Sequence, residues 1–216
     1  MSHEQIVIRK DIIDLTCEFL ETWFHQILYK RNIYPRAIFE TQKKFQVPVK
    51  VATHPDVQEY IASFVQSCHP LLEKGLVKFI SLTVLKDDNV AEEKFVFEIN
   101  SILNTVDIPL EILQESESIY TMGDLEQHLR ACLIKLGSVV QESTDNDRRF
   151  ALSIETVQDG YPQQGTIDWI PAGENHHPWA KLIPLKSAPM DLFRFNTFVM
   201  EASNNNSNRK GKERCP

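Results

Sequence analysis

The chain has 216 residues, 42% apolar and 25% charged, enough for one domain with its own core and no need of cross-links. Lys and Arg number 23 against 30 Asp and Glu, a formal charge of −7, which argues against a protein that wraps nucleic acid, since phosphate binding draws on clustered cations. The opening MSHEQIVIRKD lacks the basic-then-apolar pattern of a secretory leader, and no run reaches the ~18 apolar residues of a membrane span, so a cytoplasmic or nuclear location is expected.

Residues 1–10 are read as an N-terminal extension and residues 11–31 as the first helix. Asp11 and Asp14 stand at capping-box spacing, and Ile12, Phe19/Leu20, Trp23/Phe24 and Ile27/Leu28 form a stripe of helical period. Tyr34-Pro35 ends it. Residues 36–52 read as irregular, with Phe39 an anchor and VPVKV (47–51) a short strand that Pro48 confines to an edge. Thr53 is the expected cap of a helix over 54–74, with Pro55 in its first turn, a stripe from Val57 to Leu72, and Gly75 in the left-handed closing position.

LVKFISLTVL (76–85) and KFVFEI (94–99) predict a hairpin across the polar KDDNVAEE, with Phe95, Phe97 and Ile99 on one face. Residues 100–120 read as a mixed loop, acidic towards its end. Thr121 and Asp124 open a third helix, to about residue 141, with Leu125, Leu129, Cys132/Leu133 and Leu136 on its apolar face. Phe150, Leu152 and Ile154 alternate through a further strand at 148–157. Residues 158–202 mix prolines and glycines with Trp169, Trp179, Phe193, Phe195 and Phe198. That is too broken for a helix and too aromatic for a linker. Two strands, near KLIPLK (181–186) and LFRFNTFV (192–199), would let it lie on a sheet edge. Residues 203–216 are polar, rich in Asn and expected to be disordered.

Chemistry-bearing motifs are sparse. There is no GxSxG, P-loop, GxGxxG or HExxH. His176 and His177 beside Glu174 lack a second ligand pair at matching spacing, so no metal is expected. His25 and His128 stand singly on helices. Cys17, Cys68 and Cys132 fall on apolar helix faces and read, like the rest of the cysteine pattern, as thiols of a reducing compartment. No catalytic residue and no cofactor are predicted.

Seven blocks, CEFLETWFHQILYKRNIYP (17–35), FQVPV (45–49), HPDVQEYI (54–61), PLLEKGLV (70–77), EKFVFEI (93–99), LEQHLRACLIKL (125–136) and LIPLKS (182–187), run in the same order as in the HORMA-domain family. Within it they resemble the accessory, non-catalytic subunits of DNA polymerase zeta. Residues 100–120 are longer than is usual there, 158–168 shorter, and the Asn-rich tail is extra.

The resemblance implies an α+β domain over 11–202: three main helices on a mostly antiparallel sheet, with a C-terminal safety belt at about 158–200. It implies a non-enzymatic adaptor in translesion DNA synthesis, in the nucleus. The belt would hold a proline-containing segment of the polymerase zeta catalytic subunit. Tyr60 and Trp169 match positions that touch that segment, although spacing alone makes Tyr60 a member of the second helix's core stripe. Leu182, Asn196 and Phe198 match a docking site for the C-terminal domain of the translesion scaffold polymerase; the family carries Gln and Tyr where this chain has Asn196 and Phe198. Arg130 matches a position used in HORMA–HORMA dimers. Lys43 and Lys44 read as solvated surface. The alternative pathway for the same fold is a spindle-checkpoint or meiotic-axis adaptor.

Overall fold

The computed structural model describes residues 3–86, 89–102, 121–144, 147–157, 179–190 and 193–203. Three helices, α1 (His3–Lys30), α2 (Pro55–Glu73) and α3 (Met122–Val139), lie with seven strands. β1 (Phe39–Lys44) and β2 (Val47–Ala52) form a two-stranded ribbon. β3 (Val77–Lys86), β4 (Ala91–Ile102), β5 (Arg148–Thr156), β6 (Trp179–Pro189) and β7 (Phe193–Ala202) form an antiparallel sheet in the order β5-β3-β4-β7-β6. The α+β expectation, three helices on an antiparallel sheet, therefore holds.

The helix starts separate what capping chemistry can and cannot decide. α3 opens on the expected capping box: Asp124 N donates to the Thr121 hydroxyl, and Thr121 N donates to the Asp124 carboxylate at 2.7 Å. The Thr121 N–H and the Thr121 hydroxyl, both donating to the carboxylate, hold the Asp124 carboxyl below its ordinary pKa. α2 departs from expectation. Its cap residue is His54, and the Thr53 hydroxyl instead donates to Ile38 O at 2.9 Å, tying the helix entry to the start of the ribbon. α1 begins at His3, so Asp11 lies inside the helix and is not its cap. Both ends of the α1–α2 pair close as Schellman turns. Gly75 at φ 66° closes α2, and Asn32 at φ 52° closes α1 ahead of Tyr34-Pro35.

The ribbon was expected as a single strand and is a hairpin. Its two-residue turn is Phe45-Gln46, at φ 49° and 58°, where Gly or Asn is usual. Two contacts hold these residues in that conformation. The buried Phe45 ring meets Phe19 edge to face, and Phe45 O accepts from Arg130 Nε at 2.8 Å.

One face of the sheet carries the core. Ile80, Leu82 and Val84, Phe95 and Phe97, and Phe193, Phe195 and Val199 are buried there under the helices. Trp23 and Phe19 of α1 sit on Phe97, at 6.4 and 5.6 Å between ring centroids. Phe97 in turn stacks on Phe195 at 4.9 Å. Burying a ring of this size contributes about 4–6 kcal/mol at ~25 cal/mol per Å². The Trp23 Nε1–H has no acceptor among the described residues, which costs about 1–3 kcal/mol. Lys30, Arg31 and Arg36 then stitch the end of α1 to the chain leaving α3. Lys30 Nζ donates to Gly137 O, Arg31 forks onto Glu93 and reaches Gln141 O, and Arg36 pairs with Glu142.

Two predictions follow from local chemistry. Replacing Gln46 with Gly removes a left-handed non-glycine residue from an exposed turn position, and stability should rise by about 1 kcal/mol in urea denaturation. His25 is buried and accepts from Ala52 N, and burial lowers its pKa from 6.5 to about 4. Between those pH values the unfolded chain binds a proton that the folded chain refuses. Stability should therefore be unaffected by His25 above pH ~6.5 and fall by about 3 kcal/mol in all as pH drops to ~4. In His25→Leu that part of the pH slope should vanish.

Candidate functional site

A sheet has two edges, and this one treats them oppositely. β6 is interrupted by Pro184 and Pro189, and its register shifts at Trp179/Lys181 and Pro184/Lys186. Proline and bulges are the ordinary means of blocking a further strand. β5 has no proline from Arg148 to Thr156. It pairs with β3 in continuous register from Phe79↔Glu155 to Lys86↔Arg148. Among the described residues its other side has no strand partner. β5 thus presents a straight row of backbone donors and acceptors.

Aromatic side chains stand beside that row. Phe150, Leu152 and Ile154 point to the core face, opposite the buried Val84, Leu82 and Ile80. Tyr60 of α2 is 51% exposed and rests edge-on against Phe150 at 5.7 Å. Tyr34 also meets Phe150 edge to face, at 6.2 Å. Burial, then the neighbouring Tyr60, raises the Tyr34 hydroxyl's pKa, so it stays a neutral donor. Tyr60 was expected to touch a bound segment; the structure removes it from the core stripe and sets it at the bare edge. Phe150 and Tyr34 were not singled out from sequence. Phe150 was legible only as a strand residue, because its partner lies in a helix far along the chain. Trp169 lies outside the described residues, as do Glu174, His176 and His177.

β5 and β6 follow one another along the described chain yet occupy opposite edges. The two ends of residues 158–178 therefore stand about 19 Å apart across the sheet, at ~4.8 Å per strand. They also sit at opposite strand ends: Thr156 pairs with Val77, while Trp179 pairs with Ala202.

The sheet's second face collects the other predicted group. Leu182 pairs with Met200, and Phe198 pairs with Pro184 and Val96. Asn196 follows on the same face, its Nδ2 donating to Glu98 Oε2 at 2.7 Å. Leu182, Asn196 and Phe198 are thus brought together, with Leu182 57% exposed and Met200 beside it. Arg130 is placed elsewhere, on α3. Besides Phe45 O it pairs with Glu126 at 3.0 Å, so it serves an internal contact as well as facing solvent. Lys43 is exposed, and Lys44 pairs with Glu18.

Burial pushes the thiols of Cys17 and Cys132 up to about 12 and raises that of Cys68, so all three are protonated at neutral pH. His128 is lowered by burial and by Lys186. Among the described residues no group of three His, Cys, Asp or Glu could hold a metal.

A family profile described as "HORMA domain" matches residues 13–162. The chain is 31% identical over 206 residues to the Danio rerio protein named mitotic spindle assembly checkpoint protein MAD2B, covering 91% of this chain and 93% of that one. It is 32% identical over 156 residues to the Schizosaccharomyces pombe DNA polymerase zeta processivity subunit, covering 71% and 72%. Among solved structures, C. elegans HTP-2 bound to the HIM-3 closure motif superposes with a TM-score of 0.66 at 12% identity, over 88% of this chain and 89% of that one.

Phe150→Ala should leave Tyr60 without its ring partner. We expect a loss of about 3 kcal/mol or more in stability, larger than for Tyr60→Ala, because Phe150 is the more buried and contacts both tyrosines.

Proposed function

The chain belongs to the HORMA-domain family, and from that premise we propose that it captures an extended, proline-containing segment of the polymerase zeta catalytic subunit on the bare edge of β5. It is a HORMA adaptor; what it holds, and for which pathway, is our reading. The observation that carries the reading is the unblocked edge of β5 beside the exposed Tyr60 ring. A segment added there gains main-chain hydrogen bonds from β5, while prolines pack on the tyrosine. The belt at about 158–200, with Trp169 in it, would close over the occupant. Work of this kind needs no catalysis, only a long-lived hold on a partner.

Leu182, Asn196 and Phe198 would then recruit the C-terminal domain of the scaffold polymerase on the sheet's second face, Leu182 supplying the apolar anchor. A HORMA–HORMA dimer through α3 would draw on Arg130 and would have to share it with Phe45 O. Together these roles would serve translesion synthesis in the nucleus. A second reading is favoured by the relative's name, which assigns it to the spindle checkpoint. On that reading the same edge serves a checkpoint or meiotic-axis partner.

Tyr60→Ala and Trp169→Ala should each weaken capture of a fluorescent peptide from the catalytic subunit by about tenfold or more, a loss of ~1.4 kcal/mol, in anisotropy titrations. Undiminished capture by both variants would remove the clamp. Partner identification by affinity mass spectrometry separates the pathways: checkpoint proteins without polymerase subunits would favour the second.

A further inference from the structure

We propose that two charges on β4, Lys94 and Glu98, complete the docking surface on the sheet's second face and select a partner that sets an acid against the first and a base against the second. The inference rests on the docking role proposed above for Leu182, Asn196 and Phe198, and takes the C-terminal domain of the scaffold polymerase as the occupant.

Three rungs cross the sheet here. Lys94 pairs with Met200, which pairs with Leu182. Val96 pairs with Phe198, which pairs with Pro184. Glu98 pairs with Asn196, which pairs with Ser187. A strand turns alternate residues to one face, so Lys94, Val96 and Glu98 stand in a column beside Met200, Phe198 and Asn196. Val96, at the centre, is buried although it lies on the face away from the helices, so the middle of the surface is packed before anything binds. Towards β3 the surface ends in a self-contained pair: Ser81 stands opposite Val96, and its hydroxyl bonds to that of Ser153 at 2.8 Å.

The column carries a charge at each end, and neither charge is neutralised. Lys94 and Glu98 are half-buried, and among the described residues neither has an ion-pair partner. Four residues of strand hold them about 13 Å apart, and they do not pair with one another. An ammonium and a carboxylate beside apolar surface lose water when that surface is covered, and each then needs an opposite charge. A partner that covers Leu182 and Phe198 covers these flanks as well. It must bring counter-charges about 13 Å apart and in one order, which fixes its orientation. Glu98 is also held in place. Asn196 Nδ2 donates to Glu98 Oε2 at 2.7 Å. Only the amide nitrogen can donate to a carboxylate, so this bond sets which way the Asn196 amide faces. Glu98 Oε1 and Asn196 Oδ1 are left as neighbouring acceptors for a Lys or Arg of the partner.

The test titrates the full chain with the C-terminal domain of the scaffold polymerase, by calorimetry at low and at high salt. Glu98→Gln keeps an acceptor for Asn196 and removes only the charge; Lys94→Gln removes the other. Each should weaken binding about tenfold at low salt, with a smaller loss at high salt, where charges are screened. The exchange variant, Lys94→Glu with Glu98→Lys, keeps the formal charge of −7 and should weaken binding about a hundredfold, because both contacts become repulsive. A thermal melt checks that it folds. Glutamine variants that bind like the unaltered chain at both salts overturn the proposal, and so does an exchange variant that folds and binds undiminished. Leu182→Ala separates this idea from the one beneath it. Binding that is lost in Leu182→Ala but indifferent to both charges keeps the docking reading and sinks this inference; a domain that the unaltered chain does not bind sinks both.

Discussion

The contact on which the molecule depends is that of α1 with the middle of the sheet. Trp23 and Phe19 press on Phe97, and Phe97 stacks on Phe195 beside it. An amino-terminal helix, a central strand and the last strand of the chain thus share one aromatic stack. Because the core is gathered on that face, α2 and α3 are drawn to it as well. The second face and both edges are left for other uses.

Edges are where the physics becomes functional. The β6 edge is blunted by proline and irregular register, while β5 has no proline and keeps one register with β3 from Arg148 to Glu155. The asymmetry is more informative than either edge alone, since a chain that needed only to avoid aggregation would blunt both. The Tyr60–Phe150–Tyr34 row gives the bare edge a chemical preference beyond main-chain pairing.

Much of the fold was legible because its signals were local. The Thr121 capping box, Gly75 and the alternation through Phe95 and Phe97 each announce an element within a few residues. The ribbon was half missed because FETQKK has one buried residue and Phe45-Gln46 lacks turn chemistry. That turn is made by Phe19 and Arg130, residues of other elements, and no local pattern reports them. Arg130 looked like an interface residue because it lies off the apolar stripe; an internal carbonyl uses that position equally well. Leu182, Asn196 and Phe198 share a face, as a period of two requires, but the aromatic partner of Tyr60 came from a strand ninety residues on in sequence, which spacing cannot reach.

The place of β7 between β4 and β6 has a consequence for the chain as it is made. β4 leaves the ribosome about a hundred residues before the strand that completes it. Until residues 193–202 arrive, Phe95 and Phe97 lie next to an open strand edge, and α1 covers only half a sheet. Contacts this distant in sequence form slowly. The unfinished chain thus carries a hydrophobic edge in search of a strand. The need for a chaperone should therefore be greatest after β5 is out and should end when the final hairpin docks.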